Sequence, residues 1–210
     1  MSESPAPPSK APAAHRDYEG AKLGMWIFLF TEILLFGGLF ILYSAYRSIY
    51  PQEFHDGGQH LNYVIGVANT FVLLTSSLSM ALSITAIQKG DRRRSLTFLA
   101  ATIALGLVFL LNKGIEWSAE IRHGIYPNSP ELLANHPKGE VIFYGLYYTM
   151  TGLHGLHVIA GIVVLSVMWA LLKRGRIHQG DFIMIENSGL YWHLVDVIWI
   201  FLLPLFYLAA

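Results

Sequence analysis

From Val141 to Leu172 the chain runs without a single Lys, Arg, Asp or Glu. About 20 apolar residues are enough to cross the hydrocarbon of a bilayer, so a run of this length folds as a membrane-crossing helix or a wholly buried one. It carries His154 and His157, and the i, i+3 spacing is expected to set both imidazoles on one helical face. Neither imidazole is comfortable against lipid. The rest of the chain must therefore supply a surface that receives that face.

Four more segments meet the same length criterion, giving apolar stretches at roughly 23–46, 63–88, 95–119, 141–172 and 189–209. Only 13% of the residues are charged, against about 25% in a soluble domain. The fold class expected is all-α: an integral membrane bundle of five transmembrane helices filling residues 22–210. Residues 1–21, with Pro5, Pro7, Pro8 and Pro12, read as a disordered cytoplasmic tail without the apolar core of a signal peptide. No repeat period supports an inverted-repeat transporter.

Lys and Arg distribute unevenly over the connections. Lys10, Arg16, Lys22, Lys89, Arg92, Arg93, Arg94, Lys173, Arg174 and Arg176 fall on one side, and Arg47, Lys113, Arg122 and Lys138 on the other. Cytoplasmic loops carry the excess of positive charge, so the N-terminus is expected in the cytoplasm and the C-terminus outside. The balance of 14 basic and 14 acidic residues argues against a nucleic-acid partner. The absence of cysteine excludes disulfides, Cys-ligated zinc, iron–sulfur clusters and thiol catalysis.

Ionisable residues inside the apolar segments are the candidate functional groups. Glu32 lies roughly 13 Å along the first segment at about 1.5 Å per residue, near the midplane, and is either a neutral hydrogen-bonded acid or a proton-handling one. Ser79 and Ser83, with Thr75-Ser76-Ser77, suit close helix packing. Lys113 and Glu116 are spaced to pair at the outer membrane edge, where Trp117 fits the aromatic belt. His193 and Asp196 repeat the i, i+3 spacing, so Asp196 is expected to pair with His193 or with another helix. Tyr191 and Trp192 read as anchors at the inner interface. Arg94, Lys173 and Arg174 are candidates for lipid head groups by position.

His154, His157 and His193 with Glu32, Glu116 and Asp196 could be taken for a metal or haem site in a bundle. Against that, histidines at i, i+3 are too close to serve two haems stacked across a membrane. No Asp or Glu stands three residues before any of the three histidines, as the di-iron bundle signature needs. The same residues serve equally as a polar network knitting the helices together, so no metal ligand is assigned. An independent metal enzyme and a small proton channel built on Glu32 remain the readings from other classes. No nucleophile–base pair and no phosphate-cradling glycine loop occurs.

The run Thr151-Gly-Leu-His154-Gly-Leu-His157-Val-Ile-Ala-Gly161 closely resembles the histidine motif of subunit III of haem–copper respiratory oxidases. Tyr191-Trp-His193-Leu-Val-Asp196-Val-Ile-Trp199 is similar to that family's last-helix motif, and Thr31-Glu32-Ile-Leu-Leu-Phe to its helix with a buried acid. Asn69-Thr, Gly90-Asp-Arg-Arg and Glu116-Trp-Ser-Ala-Glu120 fall where similar patterns occur, so the likeness covers roughly residues 20–209 in order. The resemblance implies an accessory subunit of a proton-pumping terminal oxidase in aerobic respiration, in the bacterial inner membrane. It would support proton uptake and stability of the catalytic subunit I and carry no cofactor itself, with haem and copper expected in the partner subunits. Its partners would be subunits I and II and membrane phospholipids. The family's seven-helix members hold a lipid-filled cleft between the first two helices and the rest; this chain resembles the five-helix short form of many bacterial oxidases. Glutamate at position 32 is similar to the cytochrome c oxidase branch. A quinol oxidase and a nitric oxide reductase accessory protein are the alternatives, in that order.

Overall fold

The computed structural model describes residues 18–208. Residues 1–17, with Lys10 and Arg16 of the charge argument, lie outside the described residues. Five helices are long and apolar enough to cross a membrane: α1 (Tyr18–Ile49), α3 (Tyr63–Gln88), α4 (Arg92–Arg122), α6 (Lys138–Lys173) and α7 (Ile183–Leu203). Two short helices, α2 (Pro51–Gln59) and α5 (Pro130–Asn135), interrupt the longer connections. The bundle is the architecture expected, but the helices overrun their apolar cores. α1 begins at Tyr18, inside the stretch read as tail, and α7 begins six residues before Gly189.

Local chemistry sets these boundaries. The Asn62 side chain accepts from the backbone N–H groups of Val64 and Ile65 at 3.1 and 3.3 Å, and Asp91 accepts from Arg94 N–H at 3.0 Å, so α3 and α4 open on capped turns. α3 ends with Gly90 at φ +79°, the left-handed conformation that lets Asp91 N–H bond back to the Ala86 carbonyl at 2.9 Å and closes the helix end. α7 continues past Pro204, which brings no N–H to the helical ladder, as a π-helical turn over Pro204–Leu208. That wider turn aims Phe206 and Tyr207 inward, and both are buried.

α3, α4, α6 and α7 make the core. Ser79 donates to the Phe98 carbonyl at 2.8 Å and Ser83 to the Ser95 carbonyl at 2.9 Å, so the hydroxyl stripe of α3 holds α4 close, as its spacing suggested. Trp192 is the central wedge rather than an interface anchor. Its indole N–H donates to Ser76 Oγ at 3.1 Å, and a Cβ added at Gly106 or Gly161 would meet its ring at 2.8 Å. Tyr191 is buried too and donates to the His157 carbonyl at 3.0 Å. Both aromatics face the interior of the bundle.

α1 is attached differently. It packs on α6 and α7 along one narrow stripe containing Leu29, Phe36 and Tyr43, and leaves Leu23, Trp26, Phe30, Leu34 and Ile41 exposed. The two ends of the molecule also differ in charge. Lys22–Glu186 (3.3 Å), Arg92 Nε donating to the Leu172 carbonyl (2.8 Å) and Gln179 donating to the Gln88 carbonyl (2.9 Å) tie one end together. That end gathers the strongly basic connections.

Candidate functional site

The i, i+3 histidines of α6 do not share one neighbour. A spacing of three residues separates side chains by about 60° around the axis, and here that angle straddles the boundary between α1 and the core. His157 points to α1: its Nε2 lies 2.8 Å from Glu32 Oε2 and its Nδ1 2.7 Å from the Leu153 carbonyl, with Phe36 edge-on at 5.4 Å. His154 points into the core, fully buried, against Trp199 at 5.3 Å and Phe109 at 5.5 Å. Neither of its ring nitrogens has a hydrogen-bond partner among the described residues.

The Glu32–His157 contact has a definite proton logic. A carbonyl only accepts, so Nδ1 must carry a hydrogen to bond Leu153. Nε2 is then either the acceptor of a proton held by Glu32 or the donor of its own to a Glu32 carboxylate. Both arrangements are neutral overall, hold one proton between the two side chains and avoid a lone charge in hydrocarbon. The side chains keep 14% and 16% of their surface exposed, on the flank where α1 is thinly packed. Sequence reading singled out both Glu32 and His157 without joining them.

The Lys113–Glu116 pair forms at 3.2 Å, as its spacing suggested. The residues are only 5% and 3% exposed, enclosed by the rings of Tyr147, Trp199 and Tyr207. Lys113 Nζ also donates to Tyr147 (2.8 Å) and Tyr207 (2.6 Å). Both phenols donate to Glu116 Oε1, at 2.6 and 2.5 Å. All three ammonium hydrogens therefore have acceptors, and α4, α6 and the C-terminal turn are locked through one carboxylate oxygen. Glu116 Oε2 has no partner among the described residues. Tyr147 and Tyr207 escaped the sequence reading, since tyrosines among many aromatics carry no spacing signal. Trp117 stacks on Tyr148 at 5.1 Å.

His193 and Asp196 do not pair. His193 Nδ1 bonds Ser77 Oγ of α3 at 2.7 Å. Asp196 is 3% exposed and neither carboxyl oxygen has a hydrogen-bond partner among the described residues; the Ser77 hydroxyl stands near it without closing that bond. A serine on the facing helix competes for the imidazole and wins by reach. Of the basic candidates, Arg94 is exposed and bridged to Asp91 at 3.2 Å, and Lys173 lies 4.8 Å over the Trp169 ring. Arg174 is exposed. Arg92, which was not singled out, caps the end of α6 by donating to the Leu172 and Lys173 carbonyls. No group of three or more His, Asp or Glu side chains among the described residues converges to hold a metal ion.

Comparison with known proteins agrees with this arrangement. The profile of the family described as cytochrome c oxidase subunit III matches residues 12–210. The chain is 33% identical over 198 residues to the cytochrome c oxidase subunit 3 of Thermostichus vulcanus, covering 94% of this chain and 91% of that one. It is 31% identical over 202 residues to the subunit 3 of a Synechocystis strain, covering 96% and 81%. Against the pig (Sus scrofa) protein of the same name, identity is 32% over 194 residues, covering 88% of this chain and 67% of the other. With five apolar spans, this is a multi-pass membrane protein, and it belongs to the cytochrome c oxidase subunit III family.

Proposed function

We propose that this chain is the accessory third subunit of a bacterial haem–copper terminal oxidase, without a redox centre of its own, lying in the inner membrane against subunits I and II. In this reading the haem and copper belong to those partners, and this chain supports proton uptake into subunit I and the durability of the catalytic subunit. The N-terminus is placed in the cytoplasm because Lys22, Lys89, Arg92, Arg93, Arg94, Lys173, Arg174 and Arg176 meet at the end where α1 begins. Cytochrome c is the donor favoured by Glu32. A quinol oxidase or a nitric oxide reductase complex would use the same scaffold.

The observation that carries the proposal is the Glu32–His157 pair, one shared proton on a cross-helix bond of 2.8 Å, on a helix whose apolar face is left open. A structural glue has no need of a protonatable group at a thinly packed flank. An accessory subunit bordering a proton-consuming neighbour does. Arg94, Lys173 and Arg174 at the basic end would face phospholipid head groups.

The test is Glu32→Ala in the intact oxidase. The complex should assemble and retain its haem and copper, while proton uptake slows or the enzyme inactivates in fewer turnovers. Turnover and inactivation both unchanged would remove Glu32 from any such role. Affinity isolation of the chain should bring down a haem–copper subunit, and failure to do so would overturn the assignment.

A further inference from the structure

His193 lies roughly 15 Å along the last membrane span at about 1.5 Å per residue, a span of 26 residues, so its ring is well inside the hydrocarbon. Only one of its two nitrogens is used within the chain. Nδ1 bonds Ser77 Oγ at 2.7 Å. Nε2 has no partner among the described residues and is not enclosed, for the half-buried ring brings it to the outer surface of the bundle. His154 differs, since both of its nitrogens are sealed inside.

Hydrogen bookkeeping fixes what Nε2 offers. Ser77 makes no other hydrogen bond among the described residues, and Asp196 beside it closes none. The hydroxyl hydrogen is therefore spent on Nδ1, and the ring hydrogen of a neutral imidazole sits on Nε2. An imidazolium would carry a hydrogen there as well. An N–H donor thus points out of the bundle into a region where an unsatisfied polar group is expensive.

Few neighbours can satisfy it. Acyl chains have no acceptor, and the oxygens of a lipid lie at the membrane edges. A second copy docked through the same face on a two-fold axis would set donor against donor. A spanning segment of a different chain can offer a hydroxyl, amide, carboxyl or carbonyl oxygen. The surface around the ring suits a helix. Leu74 and Ala81 of α3 and Val197 and Ile200 of α7 are exposed, at helical spacing from Ser77 and His193 and on the same sides of their helices. Val197 also lines the apolar groove against Phe36 and Phe40 of α1, so the face continues to the thinly packed side of α1.

We infer that this face receives a transmembrane helix of another subunit, and that His193 donates its Nε2 hydrogen to an oxygen on that helix. The inference rests on reading the chain as one subunit of a larger oxidase.

Two substitutions separate docking from folding. His193→Asn keeps an amide where Nδ1 stands and loses the outward donor; His193→Gln does the reverse. When the native complex is isolated through a tag on this chain in rising detergent, His193→Asn should retain partner subunits about three- to tenfold less well, as for the loss of one intramembrane hydrogen bond. His193→Gln should stay close to wild type. The opposite order would mean that the ring serves only the Ser77 bond, and overturns the inference. Benzoylphenylalanine in place of Ile200, photolysed in native membranes, should cross-link to a spanning peptide of another chain, with a lower yield when His193→Asn is added. Cross-links to lipid alone, or to a second copy, overturn it too. A cross-link lost with His193→Asn but made to a chain outside any haem–copper oxidase keeps the docking face and removes the oxidase reading.

Discussion

Two ionisable groups inside this bundle meet the same cost of leaving water in opposite ways. The Lys113–Glu116–Tyr147–Tyr207 knot is nearly closed, with five hydrogen bonds tying Lys113 and Glu116 to each other and to the two phenols. The Glu32–His157 pair is joined by one bond, between helices of which one is barely packed. In the first, every donor has an assigned acceptor: the ammonium donates to both phenols and to Glu116 Oε1, and each phenol donates to that same oxygen. In the second, one proton has two possible owners. A closed network holds helices together; an open pair can exchange a proton without a charge being stranded.

Five substitutions would break or sharpen that contrast. Lys113→Met leaves Glu116 buried without its counter-charge and should cost about 3–5 kcal/mol, seen as loss of folded, membrane-inserted protein in thermal denaturation in detergent. Adding Glu116→Leu to it should recover much of the loss, because removing both charges is far cheaper than removing one. Tyr207→Phe deletes hydrogen bonds to both charged partners and should cost about 2 kcal/mol in the same assay. A change within experimental error there would mean that the C-terminal turn is not held by the knot.

The open pair should respond less in stability and more in function. His157→Leu removes the partner of Glu32 and the donor to Leu153, which should cost about 1–2 kcal/mol and reduce the yield of assembled complex while leaving electron transfer in what does assemble. Glu32→Gln is the mildest change. Its amide can still donate to His157 Nε2, so the melting temperature should move by less than the shift expected for about 0.6 kcal/mol, a typical intramembrane hydrogen bond. It removes the exchangeable proton, so proton uptake should fall although the contact survives. Equal effects of Glu32→Gln and Tyr207→Phe on stability would erase the distinction between the two groups.

Much of this was legible before any coordinates. Apolar length alone announces five spanning helices, because a bilayer sets a minimum that no other fold needs. The serine stripe of α3 declared its packing role, and the buried ionisable residues announced themselves by being expensive. The partners were another matter. A spacing of i, i+3 says that two side chains are near each other on one helix, and the sequence cannot say what stands opposite. His157 therefore took Glu32, 125 residues away, while His193 took Ser77 and left Asp196 aside.

Burial was the second thing decided late. Helices extend beyond their apolar cores whenever caps and interfacial residues continue the ladder, and a few extra residues move a side chain by one or two turns. Lys113 and Glu116 are enclosed by Tyr147, Trp199 and Tyr207, and Trp192 is the wedge of the bundle rather than an exposed anchor. The chain by itself determined which residues cannot face lipid. Only the packing of five helices decided which of them meet, because hydrophobicity is a property of single residues and a hydrogen bond is a property of two.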